Sequence, residues 1–136
     1  MRFIVGLIAI TLVCCAGPGT VAVYNSGAGI QFSFLRRGTP SVDVRAVDVF
    51  EDVNRSRGRT ICRIHRTGLP PGGSATFVRW TYGSTPPSHY EVAKSCEPLV
   101  PHRRYGVMGY LGRTEVYTIF EILDDGSVVC LESCQE

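Results

Sequence analysis

Beyond its first twenty residues the chain never holds a helical period for ten positions without meeting Gly or Pro. What recurs instead is short-range alternation of apolar and polar residues, interrupted by turn residues. Ile30, Phe32 and Phe34 share one face of the first run. Val42, Val44 and Ala46 keep step in the second, after which Val47 and Val49 take the opposite phase. Such a phase change within one strand predicts a β-bulge or a strand that switches sheets. Further runs cover Arg59–Arg66, Ala75–Tyr82, Tyr90–Ser95, Arg104–Leu111 and Val116–Ile122, and Asp124-Asp125-Gly126 predicts a hairpin turn before Ser127–Leu131. Gly68–Gly73 and Gly83–Pro87 read as loops, because Pro donates nothing to a strand ladder and Gly supplies positive φ. Seven or eight short strands at roughly 8–12 residue spacing predict an all-β sandwich of two antiparallel sheets, with a closed barrel as the alternative. The expected core is Phe32, Phe34, Val44, Ile64, Val78, Trp80, Tyr105, Val107, Phe120 and Ile122.

The N-terminus has a different character. Met1-Arg2 carries one charge, and Phe3–Cys15 is an uncharged apolar run, too short to span hydrocarbon about 30 Å thick but of the length of a signal-peptide core. Thr20-Val21-Ala22 offers a small-residue cleavage site, so residues 1–22 are expected to be a signal peptide and residues 23–136 the β-sandwich domain. The alternative is a lipoprotein signal, Leu12-Val13-Cys14-Cys15, with Cys15 as lipid acceptor. The first outcome gives a diffusible periplasmic or secreted protein, the second a membrane-tethered one.

Four cysteines follow the leader: Cys62, Cys96, Cys130 and Cys134. In an exported small domain an even number predicts two disulfides. Cys62–Cys96 with Cys130–Cys134 is the expected pairing; the crossed pairings stay open. Zinc would require paired knuckles that only Cys130 and Cys134 approach, so no metal is expected.

One stretch has a familiar pattern. Trp80-Thr81-Tyr82-Gly83, Pro86-Pro87, Pro98-Leu99-Val100-Pro101 before Tyr105-Gly106-Val107, and Phe120-Glu121-Ile122 with Asp125-Gly126 resemble a family of small uncharacterised bacterial exported proteins and lipoproteins. That resemblance covers about Val78–Val129. It implies an immunoglobulin- or fibronectin-III-like sandwich in the cell envelope and points to no particular activity, since the family has none assigned.

Charge and chemistry narrow function further. A formal net charge of +2 argues against a nucleic-acid binder. No nucleophile elbow, metal-ligand spacing or cofactor motif is present, so neither catalytic residues nor a cofactor are assigned. Asn54–Arg66 carries five arginines and no acid, while the chain from Thr114 onward is acidic without a base. The two stretches are expected either to be solvated or to pair with each other. A sharper expectation is that Arg55, Arg57 and Arg59, alternating on an extended loop, contact an anionic partner. The function expected is a non-enzymatic interaction module of the envelope, whose partner is an envelope or extracellular protein or an anionic surface. Membrane contact is expected only through a lipid anchor. Two alternatives remain: a ligand-binding protein or hydrolase with a loop pocket around His89 and His102, and a secreted inhibitor or toxin.

Overall fold

The computed structural model describes residues 19–36, 43–68, 79–111 and 114–135. Nine strands run through them: β1 (Gly19–Asn25), β2 (Ile30–Arg36), β3 (Val44–Val53), β4 (Ser56–Arg66), β5 (Arg79–Thr81), β6 (Tyr90–Lys94), β7 (Arg104–Leu111), β8 (Thr114–Ile122) and β9 (Val128–Gln135). Every pairing is antiparallel. One sheet has the order β1-β2-β5, the other β6-β4-β3-β7-β8-β9. With β1, β2, β3, β4, β5, β7 and β8 taken as A, B, C, C′, E, F and G, the layers are A-B-E against C′-C-F-G. This is the immunoglobulin-type arrangement without strand D, extended at its edges by β6 and β9. The sandwich therefore has one strand more than the upper sequence expectation.

Alternation explains which side chains meet between the sheets. Val21, Val23, Phe32, Phe34 and Trp80 come from the small sheet; Val44, Val47, Val49, Ile64, Tyr105, Val107, Phe120 and Ile122 come from the large one. Phe32 pairs across the ladder with Trp80, and its ring meets Phe120 of the opposite sheet edge-on at 6.0 Å. Each such side chain contributes about 1.5–3 kcal/mol by leaving water. Gly109 makes room for this packing, since a Cβ there would lie 2.5 Å from the Phe34 ring. The nine expected core residues that are described are all buried; Val78 lies outside the described residues.

The phase change in β3 is a bulge. Val44 pairs with Leu111 and Ala46 with Tyr110, so Arg45 is the extra residue, and Val44 before it and Val47 and Val49 after it all face inward. β4 carries two more bulges against β3, one at Gly58-Arg59 opposite Glu51 and one at Ile61. The second puts the consecutive Ile61 and Cys62 both into the core, which simple alternation did not anticipate.

Tyr105 opens β7, and its hydroxyl accepts a hydrogen bond from Val100 N at 2.8 Å. That is a tyrosine corner, an immunoglobulin-type feature that ties the approaching loop to the start of strand F. Tyr90 does comparable work at the other end, donating to Val44 O. Burial pushes its phenol from the ordinary 10.0 up to about 12, with Arg66 pulling it down and Asp43 pushing it up. The neutral phenol is therefore the form the fold prefers. Its stabilisation is complete below about pH 10 and is expected to disappear between pH 10 and 12, as the folded phenol titrates. Tyr90→Phe should flatten this alkaline limb in urea titrations run across that window. An unchanged limb would assign it to another group.

β1 starts at Gly19 and runs through the expected boundary between residues 22 and 23. The strands correct one expectation. Cys130 and Cys134 lie on one continuous strand, where four residues span about 13 Å. A disulfide needs Cα atoms within roughly 7 Å, so the C-terminal clip does not form. Cys62–Cys96 is bonded as expected, and Cys130 is also disulfide-bonded. Cys15 lies outside the described residues.

Candidate functional site: the outer face of the large sheet

The side of the six-stranded sheet that faces away from the core is not uniformly polar. Phe50 on β3 and Ile119 on β8 point outward yet are almost fully buried. Gly106 lies between them on β7, where a Cβ would meet the Phe50 ring at 2.2 Å. Its missing side chain lets Phe50 lie flat across the sheet. Arg57 covers that ring with its guanidinium carbon 4.9 Å from the centroid. Phe50, Ile119, Met108 and Tyr117 floor a cleft of about 170 Å³ whose rim includes Asp52, Arg55, Arg57 and Glu132.

Asp48 organises the arginines beside this cleft. It is 1% exposed, so its carboxylate must be paired. Arg57 Nη2 donates to it at 2.8 Å, Arg63 Nη1 to both oxygens at 2.9 Å, and the Tyr110 hydroxyl at 3.1 Å. Two cations share one anion, and both arginine side chains stay about 40% exposed. Burial by itself would lower the Arg57 pKa, but the hydrogen bonds to Tyr110 and Asp48 outweigh it and hold the group above its ordinary value. Arg57 therefore stays charged at every accessible pH. Nearby, Arg104 Nε lies 3.0 Å from Asp52 Oδ2, off the line of a hydrogen bond. That oxygen is held by charge alone.

Arg55 to Arg59 thus form a hairpin turn and the start of β4, where the sequence suggested an extended loop leading into a strand. Asn54 and Arg55 have φ of 51° and 62° and make the two-residue turn between Val53 and Ser56. Positive φ at both central positions is the geometry that twists with the strands. The bulge at Gly58-Arg59 then separates the expected trio. Arg55 and Arg57 stay at the cleft, while Arg59 turns to the opposite face and engages Glu97 and Glu51. Those two acids, Glu97 first, hold the Arg59 pKa above its ordinary value. Arg63, not Arg59, is the second exposed cation beside Asp48.

Pairing of this stretch with the acidic residues from Thr114 onward, one of the two expectations, is not found among the described residues. The partners are Asp43, Asp48, Glu51 and Glu97. Sequence reasoning missed Asp48, Phe50 and Arg63 as site residues. The available signal was an acid at position 48 inside the otherwise apolar run Ala46–Phe50, which demands a cation on a neighbouring strand.

The histidines do not converge. His89 O accepts from Thr67 N at one end of the large sheet; His102 N donates to Ile122 O at the other. His102 pairs with Asp124 at 2.8 Å and His65 with Glu91 at 2.7 Å, all exposed. A shared pocket around His89 and His102 is excluded by this separation. Among the described residues no group of three or more His, Cys, Asp or Glu side chains is placed to hold a metal ion. A second concavity of about 420 Å³ opens between the sheets beside Cys96, lined by Asn25, Ile30, Tyr82, Leu99 and Ile122 among others, with neither histidine in its wall. Burial there raises the Tyr82 pKa, so its hydroxyl remains a donor to Glu97 O.

No protein-family model, curated protein or solved structure matches this chain.

Proposed function

We propose that this protein is an exported, non-enzymatic interaction module of the bacterial envelope. It engages an acidic segment of another envelope or extracellular protein through the outer face of its large sheet. The supporting observation is the Asp48 cluster, in which one buried carboxylate fixes two half-exposed arginines beside an apolar cleft. Fixed, pre-oriented guanidinium groups lose less rotamer entropy on binding carboxylates than free ones do. Arg55 adds to this. A left-handed turn position favours Gly and is costly for a long side chain, yet an arginine occupies it at the mouth of the cleft.

The test uses a fluorescent oligoglutamate peptide, read by anisotropy against the purified protein. Binding is expected to weaken as salt rises, because exposed charges are screened within about 8–10 Å. R55Q/R63Q should weaken it by about tenfold, as expected for losing on the order of 1.4 kcal/mol of charge pairing, while Asp48 keeps Arg57 and Tyr110. R79Q, an exposed arginine on the small sheet, should change nothing. Equal affinity in all three proteins sinks the proposal.

A further inference from the structure

We infer that the export cut falls upstream of Gly19 and not between Ala22 and Val23, so the mature protein keeps all of β1. The inference rests on the export reading above and concerns where processing occurs. A cut after Ala22 would discard four of the seven ladder positions that join β1 to β2, from Gly19↔Arg36 to Ala22↔Ser33. Val21, among the discarded residues, is 1% exposed and sits in the central cluster with Phe34 and Phe120. Thr118 carries the most specific signal. It is a fully buried hydroxyl between Val116 and Phe120 on the inward face of β8, and it donates to Val21 O at 2.7 Å. Without residue 21 that hydroxyl loses the acceptor it has in this fold, a cost that folded proteins avoid.

Cleavage precedes folding, so the strand would not shield the bond after Ala22. What β1 shows is that the folded domain uses the residues such a cut would remove. Upstream, the apolar run ends in Cys14-Cys15-Ala16-Gly17, small residues of the kind leader peptidases accept. Hydrolysis on either side of Ala16 or just before Cys15 releases the leader: water adds across one peptide bond, leaving a carboxylate on the leader and an amine on the domain. If Cys15 becomes the terminus, its sulfur carries a thioether-linked diacylglyceryl group, taken from a phospholipid with loss of the thiol proton and the phosphoglycerol headgroup.

The topology also gives the anchored molecule a direction. β1 enters beside the end of the sandwich that holds Arg66, Leu111 and Thr114, whereas its far end meets the opposite turn through Asn25 Nδ2 and Gly126 O at 2.8 Å. The Asn54-Arg55 hairpin lies at that far end. A chain tethered before Gly19 therefore presents the arginine cleft away from its anchor, toward a partner and not toward the lipid that holds it.

The full chain, expressed with its own leader in an export-competent bacterium, should yield a mature protein whose intact mass includes Thr20, Val21 and Ala22. Acyl mass separates a lipid-bearing Cys15 from a plain cut. A22L, which blocks any site needing a small residue at that position, should mature normally; Ala22 alternates with the inward Val21 and Val23, so leucine points outward. A mature chain starting at Val23, or A22L accumulating as precursor, overturns this inference and leaves export standing. Uncut cytosolic protein in both cases overturns export and this inference together.

Discussion

Reducing Cys62–Cys96 is expected to lower the unfolding free energy by roughly 3–4 kcal/mol and the thermal midpoint by about 10–20 °C. The bridge joins residues 34 apart, a long closed loop whose freedom in the unfolded chain it removes. It connects the fully buried Cys62 of β4 to the segment after edge strand β6. The ties beside it include Glu97 N to Ile61 O at 3.1 Å, the Tyr82 hydroxyl to Glu97 O and the Arg59–Glu97 ion pair. Such non-covalent contacts are worth about 1 kcal/mol apiece and do not replace a covalent closure. Parallel melts with and without reductant, and of C62A/C96A, measure the effect. Identical midpoints would show that the bridge carries no stability. A large difference would mean that the same chain is markedly weaker in a reducing compartment than in an oxidising one.

Phe120→Ala should cost about 3–5 kcal/mol, the range for emptying an aromatic site in a core that relaxes only partly. Phe120 has no exposed surface and touches both layers: Phe32 of the small sheet at 6.0 Å and Tyr105 of its own sheet at 6.0 Å. Its loss would loosen the tyrosine corner as well as the contact between sheets. Val129→Ala, on the partner strand of the same hairpin but exposed, should stay within about 0.5 kcal/mol of the parent. Urea unfolding of the two variants side by side gives the comparison. Similar losses would place the centre of the core elsewhere.

Much of the architecture was legible because strand alternation is a local signal. The runs around Phe32, Val107 and Phe120 needed only the rule that successive side chains point to opposite faces. The bulge in β3 showed as a phase change between Ala46 and Val47. The two bulges in β4 did not show, because Gly58-Arg59 and Ile61 produce no pattern until the strand is laid against β3. That is why Arg55, Arg57 and Arg59 looked like one row and are two faces. The Cys130–Cys134 pairing failed for a related reason: closeness in sequence is distance once the strand is extended.

The amino-acid order by itself determined the all-β class, the apolar run at the N-terminus and the centre of the core around Phe32, Trp80 and Phe120, and it made Cys62–Cys96 the expected bridge among open pairings. These follow from composition, a period of two, and the count and spacing of cysteines. Only the tertiary structure decided that residues 19–22 belong to the sandwich, that Asp48 gathers Arg57 and Arg63, and that His89 and His102 lie at opposite ends. These depend on which strands become neighbours and in what register. Register is settled by packing between segments far apart in the chain, which no local pattern encodes.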